Sequence, residues 1–251
     1  MESEHEGFWY PKVDTNVCNN CGQCERVCPL IEGKTVPVER LTLPRALAVW
    51  NADPVVRLDS TSGGVFSALA SRMFQIGGNV AGAVYEKDHT VSHVLTSDSR
   101  MLDALRSSKY LQSYVGELFN QIKQLLENGK QVLICGTPCQ IAGLYCVLGK
   151  DYERLITCDF ICRGVNSPKA FLKYIEMLER KYGAQATRIK FKNKTFGWHR
   201  FATRIDFANG KTYIEDRYHD LFMVGYLQHN CFVRPSCYNC RFKGTPRQAK
   251  L

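Results

Sequence analysis

The sequence predicts an α/β fold that follows a small cysteine-rich module. From residue 67 onward, segments with the period of helices alternate with short apolar segments typical of strands, which is the pattern of an α/β architecture. Three strand-like segments come late in the chain, and Asn209 and Gly210 between the last two form a turn typical of an antiparallel hairpin. Four cysteines crowd between Cys18 and Cys28, which sets the first residues apart from the rest.

The bulk composition excludes several protein classes. Among 251 residues, 45% are hydrophobic and 23% are charged, as in ordinary globular proteins. No apolar run approaches the length of a transmembrane helix, so we expect no membrane insertion. The N-terminus lacks the basic start and apolar core of a signal peptide. We therefore expect a cytoplasmic protein.

Cysteine content and charge point towards metal rather than nucleic acid. Twelve cysteines are many for a reducing compartment, where structural disulfides are rare, and they indicate metal binding or redox chemistry. The formal net charge is +9, but the basic residues are spread along the chain without a run of five. Metal-bound thiolates would also offset part of this charge. We expect no nucleic-acid partner.

The first cysteines have the spacing of a ferredoxin. Cys18, Cys21, Cys24 and Cys28 form a Cys-x2-Cys-x2-Cys-x3-Cys-Pro run, which bacterial ferredoxins use to bind a 4Fe–4S cluster. Zinc is the alternative, but zinc sites usually pair two distant Cys-x2-Cys units rather than four cysteines within eleven residues. In two-cluster ferredoxins the fourth cysteine of such a run serves the other cluster. Either all four bind one cluster, or residues 1–38 are the second half of a module whose first half lies upstream, which we favour.

The first elements of the α/β region are justified by their starts and stops. Residues 67–76 have a helical period, begin after small residues and end at a glycine pair. Residues 79–86 and 90–96 are predicted strands, joined by a short polar turn. A helix followed by a loop is predicted over 99–113. Residues 115–130 form an amphipathic helix with one apolar face and a glycine stop.

The remaining elements continue the alternation. Residues 131–149 are predicted to form a buried strand, a tight turn and a helix. A strand over 154–162 and a helix over 167–183 follow. The predicted meander has strands at 187–193, 201–210 and 211–216.

A second set of cysteines lies at element ends. Thr137 is a candidate N-cap with proline behind it, which places the Cys139 thiol in the first helical turn, where the positive helix end favours thiolate. Cys162 ends a predicted strand, a common position for ligand-binding groups in α/β sheets. Cys237 and Cys240 form a second Cys-x2-Cys unit. Spacing alone leaves open whether these four thiols form one site.

Other candidates have ordinary explanations beside the functional one. Ser62, Gly63 and Gly64 begin a helix, where free N–H groups favour an anion and glycine permits a close ligand, but a Ser-capped helix with a flexible start is the commoner explanation. Trp198 and His199 fall in a loop and could line a substrate pocket, although a structural or solvated role is commoner.

The order of these segments resembles the beta subunit family of coenzyme F420 hydrogenases and dehydrogenases, which are iron–sulfur flavoproteins. The resemblance rests on six stretches over roughly residues 55–245: TSGGVFSALA, GGNVAGAVYE, LRSSKYLQS, GTPCQIAGL, CDFICRGVNSPKAFLKY and RPSCYNCRFKG. It implies a small ferredoxin-like module followed by an α/β flavin/iron–sulfur domain. The implied divisions are a ferredoxin-type module at 1–38, an N-terminal-like region at 39–115 and a truncated C-terminal-like region at 116–251.

The resemblance also implies cofactors and the residues that bind them. One or two 4Fe–4S clusters and FAD are expected, with Cys139, Cys162, Cys237 and Cys240 holding a cluster besides the N-terminal run. The expected flavin contacts are Ser62, Gly63, Gly64, Lys109 and Gln112. A lysine beside the flavin would stabilise its anionic reduced form. No catalytic side chain is identified.

The implied function is that of an oxidoreductase. Electrons would pass from a ferredoxin or partner redox subunit through the clusters to FAD and on to an F420-like or other small acceptor, or in the reverse direction. The alternatives are an electron-transfer subunit without its own substrate and, from another class, a zinc-stabilised binding protein. Two departures from the family are visible: Arg163 stands where histidine is common, and the chain stops where relatives usually continue. We therefore expect a fragment at both ends.

Overall fold

A computed structural model describes residues 2–31, 45–244 and 247–251 of the chain. Residues 32–38 of the expected N-terminal module therefore lie outside the described residues. The strands are β1 (Glu2–Ser3), β2 (Trp9–Tyr10), β3 (Asn79–Tyr85), β4 (Val91–Thr96), β5 (Ser113–Tyr114), β6 (Val132–Gly136), β7 (Leu155–Asp159), β8 (Ala186–Asn193), β9 (Ala202–Phe207) and β10 (Thr212–Asp216).

The described helices lie between these strands or flank them. They are α1 (Gln23–Arg26), α2 (Pro54–Asp59), α3 (Val65–Gln75), α4 (Leu102–Leu105), α5 (Leu118–Glu127), α6 (Pro138–Leu148), α7 (Pro168–Tyr182) and α8 (Leu221–Leu227). Short 3₁₀ turns occur at Ser99–Met101 and Pro235–Cys237. None of the helices in the described ranges combines the length and the apolar character needed to cross a lipid bilayer.

A five-stranded mixed sheet with the order β5-β4-β3-β6-β7 forms the centre of the larger layer structure. Strands β3, β6 and β7 are parallel, while β4 runs antiparallel to β3. Side chains of β3 and β6 alternate between the two faces: Val80 and Leu133 pack with α3 and α4, and Ala81 and Ile134 pack with α5 and α6. This alternation is the two-residue period of a strand buried on both faces.

The helices cover both faces of this sheet. Leu144 of α6 and Ile122 of α5 are 0% exposed on one face, and Ala70 of α3 is 0% exposed on the other. Full burial of such an aliphatic side chain stabilises the fold by about 1.5–3 kcal/mol. The result is a three-layer α/β/α arrangement, which confirms the predicted α/β class.

The late strands form a separate antiparallel sheet with the order β10-β9-β8. As predicted, Asn209 and Gly210 turn the chain between β9 and β10, and Gly210 adopts a left-handed φ of 79°. One face of this sheet packs against α7 and α8 through aromatic rings. The ring centroid of Phe222 lies 5.4 Å from that of Phe171 and 5.9 Å from that of Phe191. This aromatic core joins the meander to the helix that follows β7.

The N-terminal residues pack on the body of the protein. Strands β1 and β2 pair as a short antiparallel ladder. The side-chain amide of Gln112 donates to the Trp9 carbonyl and accepts from the Trp9 N–H, both at 2.9 Å. Gly7 adopts a φ of 85°, and a Cβ there would lie 2.1 Å from the Cβ of Lys169. The glycine therefore permits this hairpin to lie directly against α7.

The last residues run beside β7, which is an edge strand of the five-stranded sheet. The Leu251 N–H donates to the Thr157 carbonyl, and the Asp159 N–H donates to the Leu251 carbonyl, both at 3.1 Å. Arg247 forms an ion pair with Asp159, and Ala249 is buried at 6% exposure. We call residues 247–251 the C-terminal strap.

Three expectations from the sequence differ from the structure. The strand predicted over 154–162 ends at Asp159, so Cys162 lies in the following loop rather than at the strand end. The helix expected after residue 99 is a 3₁₀ turn followed by the single turn of α4. Helices α2 and α8 were not predicted; α2 begins at Pro54 with Asp53 as its N-cap, and Asp220 caps α8.

Candidate functional site

The N-terminal cysteine run forms a loop at the surface. Cys18, Cys21 and Cys24 are exposed and Cys28 is half-buried. The loop reverses at Asn20 and Gly22, whose φ values are 57° and 66°. Both residues tolerate the left-handed region better than most, which allows the chain to turn tightly between neighbouring cysteines.

Local hydrogen bonds hold this loop closed, and its end contacts the body. The Arg26 guanidinium donates to the Cys21 carbonyl at 2.7 Å. A Cβ on Gly143 of α6 would lie 3.9 Å from Cγ of Pro29, so the run ends against that helix. Arg241 donates to the Leu30 carbonyl at 2.5 Å. The cysteine run is thereby placed beside α6 and the segment that carries Cys240.

The start of α6 positions Cys139 as the sequence predicts. Thr137 is the N-cap, Pro138 is the first helical residue, and Thr137 and Gln140 form a reciprocal capping box. The Thr137 hydroxyl lies 3.1 Å from the Cys139 sulfur. This cap fixes the first helical turn, so the direction of the Cys139 side chain is defined by the backbone.

The other three predicted ligands reach the same place from two further segments. Gly164 has a φ of 131°, and a Cβ there would lie 3.2 Å from Cβ of Cys237, so only glycine permits the approach. The two segments are also joined by an antiparallel bridge between Asn166 and Val233. The Arg234 N–H extends this bridge by donating to the Val165 carbonyl at 2.9 Å.

The thiols of these four cysteines influence one another. Burial raises the pKa of Cys162 to about 11, and Cys139, Cys237 and Cys240 contribute to the rise. Cys139 is open to solvent on one side, but the protein around it also raises its pKa, and Cys240 and Cys237 raise it further. Burial and the neighbouring thiols therefore act against the thiolate form at Cys139, opposite to the effect expected from the helix N-terminus.

The donor chemistry of this group fits an iron–sulfur cluster. Four thiols converge from three chain segments, and the Gly164 N–H donates to Cys162 while the Gln140 N–H donates to Cys139, as backbone amides do around cluster sulfurs. Within the described ranges, no three His, Cys, Asp or Glu side chains are close enough to hold a single metal ion. Four thiols with backbone N–H groups beside them are the donor set that a 4Fe–4S cluster needs.

The glycines expected at the flavin have a packing role in this structure. A Cβ on Gly63 would lie 2.9 Å from the Val49 carbonyl oxygen. Gly64 caps α3 with a φ of 82°, and a Cβ there would lie 3.0 Å from Cβ of Asn51. Ser62, the third residue of this group, is exposed. The absence of side chains is thus explained at Gly63 by the neighbouring backbone, and at Gly64 by neighbouring side chains together with its left-handed φ.

Lys109 and Gln112 are engaged by protein groups. The Lys109 ammonium donates to the carbonyls of Ala104 at 2.5 Å and Arg106 at 3.0 Å. Burial lowers the pKa of Lys109 to about 7, and the positive charge of Lys190 contributes to this. Gln112 uses both ends of its amide on the backbone of Trp9. Contacts of these residues with a flavin stay a prediction.

The structure does bring the two loops of the expected flavin site together. The Ser107 hydroxyl donates to the Asp59 carbonyl at 3.0 Å, and the Ser108 N–H donates to the Thr61 hydroxyl at 2.9 Å. The loop that carries Lys109 therefore lies against the loop that leads to Ser62. This adjacency links segments that are 47 residues apart in sequence.

Sequence reasoning missed a basic cavity next to Ser62. It has a volume of about 330 Å³ and is lined on its other side by Lys192, Lys194, Trp198 and Arg217, among others. The signal was present, because lysines recur at every second position from Lys190 to Lys194, which places them on one face of β8 and its continuation. Trp198 and His199 do line this cavity, in the loop position expected for them.

Comparison with known proteins is consistent with this geometry. Residues 129–251 match the family described as the C terminus of the coenzyme F420 hydrogenase/dehydrogenase beta subunit. Residues 11–30 match the 4Fe–4S binding domain. No curated protein matches the chain.

Among solved structures, the fold is similar to that of a chain in the F420-reducing NiFe hydrogenase complex from Methanosarcina barkeri, with a TM-score of 0.52 and 15% sequence identity. The match covers 80% of the present chain and 66% of the other, so the present chain corresponds to just under two thirds of that relative's length. At this identity the similarity shows a shared α/β fold.

Proposed function

This chain belongs, through residues 129–251, to the coenzyme F420 hydrogenase/dehydrogenase beta subunit family, and from that premise we propose that it is an iron–sulfur flavoprotein oxidoreductase. It passes electrons from a ferredoxin or partner redox subunit through 4Fe–4S clusters to FAD and on to an F420-like or other small acceptor, or in the reverse direction. The observation that carries the proposal is the convergence of Cys139, Cys162, Cys237 and Cys240 beside the ferredoxin-type run.

The arrangement of the two cysteine sets supports an order of electron transfer. Cys18, Cys21 and Cys24 are exposed, where a donor protein can approach them. The same loop ends against Gly143 of α6 and is tied to Arg241, the neighbour of Cys240. The N-terminal run is thus the outer cluster site, which a donor protein meets first, and the four converging cysteines are the inner cluster site.

The FAD component is supported by the adjacency of its two expected loops. The Lys109 ammonium, with its pKa lowered to about 7 by burial, can hold or release a proton near neutral pH. When bound, FAD supplies a centre that exchanges one or two electrons, which links one-electron clusters to a two-electron acceptor. A flavin contact by Gln112 requires its amide to leave the backbone of Trp9.

An electron-transfer subunit without its own substrate is the second candidate. The exposed cysteine run favours it as much as the enzyme, because both need a protein partner. Turnover of a small acceptor by the isolated full chain with an artificial reductant separates the two.

We place the protein in the cytoplasm, because all twelve cysteines are free and cluster-forming thiols need a reducing environment.

The test is the iron content of the anaerobically purified full chain, measured together with its visible and electron paramagnetic resonance spectra. Two clusters predict about eight iron atoms per chain. Cys18→Ser and Cys139→Ser should each lower this by about four and remove different resonance signals. Cys231→Ser, which changes an exposed cysteine outside both sets, is the control and should leave the iron unchanged.

Two results would contradict the proposal. If Cys139→Ser left iron unchanged, the converging cysteines would not bind a cluster. If the wild-type chain bound zinc in place of iron under anaerobic purification, the zinc-stabilised alternative would replace the oxidoreductase. A flavin absorption band that bleaches on reduction is expected in addition to the iron–sulfur shoulder.

A further inference from the structure

The charges around the two cysteine sets differ. Residues 11–31, which carry the outer cluster site, contain two cations and two carboxylates. The segments 159–164 and 233–243, which carry three of the inner cysteines, contain four cations and a single carboxylate, Asp159. This carboxylate forms an ion pair with Arg247, so its charge is already compensated. The inner cluster site therefore has an excess of positive charge that the outer cluster site lacks.

Arg163, the residue after Cys162, shares a neighbour with two of the inner thiols. Its guanidinium lies 6.0 Å from the ring centroid of Tyr226. Burial raises the pKa of the Tyr226 phenol, Cys162 and Cys237 raise it further, and the charge of Arg163 acts in the opposite direction. The cation and the two thiols therefore act on one hydroxyl group, which places them around the same point of the structure.

The guanidinium of Arg163 has neutral hydrogen-bond partners. It donates to the Leu227 carbonyl at 2.7 Å and to the side-chain oxygen of Asn230 at 3.1 Å. Both bonds use one terminal nitrogen and hold the group at the end of α8. No carboxylate in the described part of the chain pairs with it, so its charge can act on a neighbouring anion.

Arg234 is a second cation that no described carboxylate pairs with, and it is half-buried. Its carbonyl accepts from the Cys237 N–H and its N–H donates to the Val165 carbonyl, both at 2.9 Å. Its guanidinium lies 4.2 Å from the ring centroid of Tyr10 and donates to the Trp9 carbonyl at 3.5 Å. The buried Nε atom has no hydrogen-bond partner among the described residues. A partly buried charge without compensation is costly, so a negative group beside it would stabilise it.

An iron–sulfur cluster bound by four thiolates is such a negative group, and net charge is among the properties that set its reduction potential. We propose that Arg163 and Arg234 raise the reduction potential of the inner cluster site by their uncompensated charges, and thereby shift the electron equilibrium from the outer towards the inner cluster site. Arg241 has no such selective role, because it follows Cys240 but donates to the Leu30 carbonyl beside the outer run. The inference rests on the proposed function and adds to it the residues that bias the direction of electron transfer.

The measurement is a redox titration of the anaerobically purified full chain, followed by electron paramagnetic resonance. The signals of the two sites are assigned with Cys18→Ser and Cys139→Ser. Arg163→Gln and Arg234→Gln should each shift the electron distribution about tenfold towards the outer cluster site, because each removes one positive charge from beside the inner one. For one electron this shift corresponds to about 59 mV. Iron per chain should stay at the wild-type value in both variants.

Control variants separate local charge from packing and from net charge. Arg163→Lys keeps the cation and should keep the wild-type potential. Tyr10→Leu removes the ring beside Arg234 but not its charge, so it should also leave the potential unchanged. Arg204→Gln removes a charge from an exposed position of β9, where Arg204 pairs with Asp206, and should have no effect. High salt should weaken the effect of the exposed Arg163 more than that of the half-buried Arg234.

Several results would overturn the proposal. Unchanged potentials in Arg163→Gln and Arg234→Gln, with iron content and thermal unfolding as in the wild type, would show that these charges do not act on the inner cluster site, while the proposed function would stand. An equal shift in Arg204→Gln would indicate net charge, and an equal shift in Tyr10→Leu would indicate packing. A wild-type chain with iron for the outer cluster alone would leave nothing for the two arginines to act on, and would contradict the proposed function as well.

Discussion

At the scale of single residues, Gly64 shows how the backbone requires glycine for two separate reasons. It adopts a φ of 82°, and a Cβ would lie 3.0 Å from Cβ of Asn51 and 3.2 Å from Oγ of Ser60. Gly129 after α5 has a similar φ of 70° but nothing within 4 Å of its Cβ position. A comparison of alanine substitutions at Gly64 and Gly129 therefore separates the cost of the left-handed φ from the cost of steric overlap at the added Cβ.

We expect Gly64→Ala to be more destabilising than Gly129→Ala. Left-handed backbone costs a non-glycine residue about 1–2 kcal/mol at both positions, and overpacking adds about 1–3 kcal/mol at Gly64. Urea denaturation followed by circular dichroism measures the two free energies of unfolding. Equal losses would show that the residues around Gly64 move aside and that the glycine serves the backbone angle alone.

At the scale of elements, the N-terminus of α6 links local structure to the candidate cluster ligand Cys139. Thr137 caps this helix, and its hydroxyl contacts the Cys139 sulfur at 3.1 Å. Asp53 caps α2 through the N–H groups of Val55 and Val56 and contacts none of the four cysteines in the described residues. Both caps satisfy helix N–H groups, but one of them also holds a candidate ligand.

Thr137→Ala and Asp53→Ala should each destabilise the protein by about 1 kcal/mol, the usual effect of losing an N-cap. Only Thr137→Ala should also speed the loss of iron from the inner site, because Cys139 then sits on a frayed helix turn. Iron release to a chelator, timed by absorbance, is the measurement. Similar release rates in both variants would mean that the cap stabilises the helix without positioning its cysteine.

Element prediction from sequence succeeded where local signals were strong. Helix α6 begins with a Thr-Pro signal, and β3 lies between a glycine pair and a polar turn, so their types follow from short-range chemistry. Helix α8, with the sequence LFMVGYL, is apolar on all sides, so its period is not informative. Its helical state depends on packing of Phe222 against Phe171 and Phe191, which the sequence does not place together.

The geometry of the candidate site could be anticipated from the sequence only in part, and its ligands stay a prediction. The spacing of Cys237 and Cys240 and the cap before Cys139 are local, and the structure brings these residues together with Cys162. The pairing of Gln112 with Trp9 spans 103 residues and has no local signal. The basic cavity likewise exists because two sheets meet, so its lysines could be seen in the sequence but not the wall opposite them.

At the scale of the whole molecule, one carboxylate joins the α/β/α part of the fold, built on the five-stranded sheet, to the separate antiparallel sheet. Asp59 at the end of α2 accepts from Arg106, which follows α4, at 2.9 Å and from Lys190 of β8 in the antiparallel sheet. Burial raises the pKa of Asp59, but the hydrogen bonds and charges of Lys190 and Arg106 outweigh it, and the net shift is downward. The association of the α/β/α part with the antiparallel sheet is therefore linked to pH.

The pKa of Asp59 is lower in the folded protein than in the unfolded chain, where an aspartate has a pKa of about 3.9. The ionised carboxylate therefore stabilises the fold above this unfolded-state pKa, and the stabilisation is lost as pH falls through the folded-state pKa. We expect wild-type stability to fall below about pH 4, and Asp59→Asn to remove part of this acid dependence while lowering stability at pH 7. Urea denaturation at pH 7 and pH 3.5 measures both effects. Asp98→Asn is the control, since Asp98 pairs with the exposed Arg100 on the surface.

If Asp59→Asn and the wild-type protein lost the same stability between the two pH values, the carboxylate would not be linked to the acid transition. The amide keeps the shape of the side chain, so a change in slope reports charge rather than packing. This distinguishes Asp59 from the buried aromatic contacts of the same interface, which do not titrate in this range.

The C-terminal strap has a consequence for how this protein meets other copies of itself. An open edge strand offers unpaired backbone groups as a template on which a second chain can add a strand. Among the described strands of the five-stranded sheet, β5 forms one edge with two residues, and β7 at the other edge is already bonded to Leu251 through Thr157 and Asp159. The strap thus occupies the backbone groups of β7 that a second chain could pair with. We expect a chain that lacks residues 247–251 to expose this edge and to aggregate more readily.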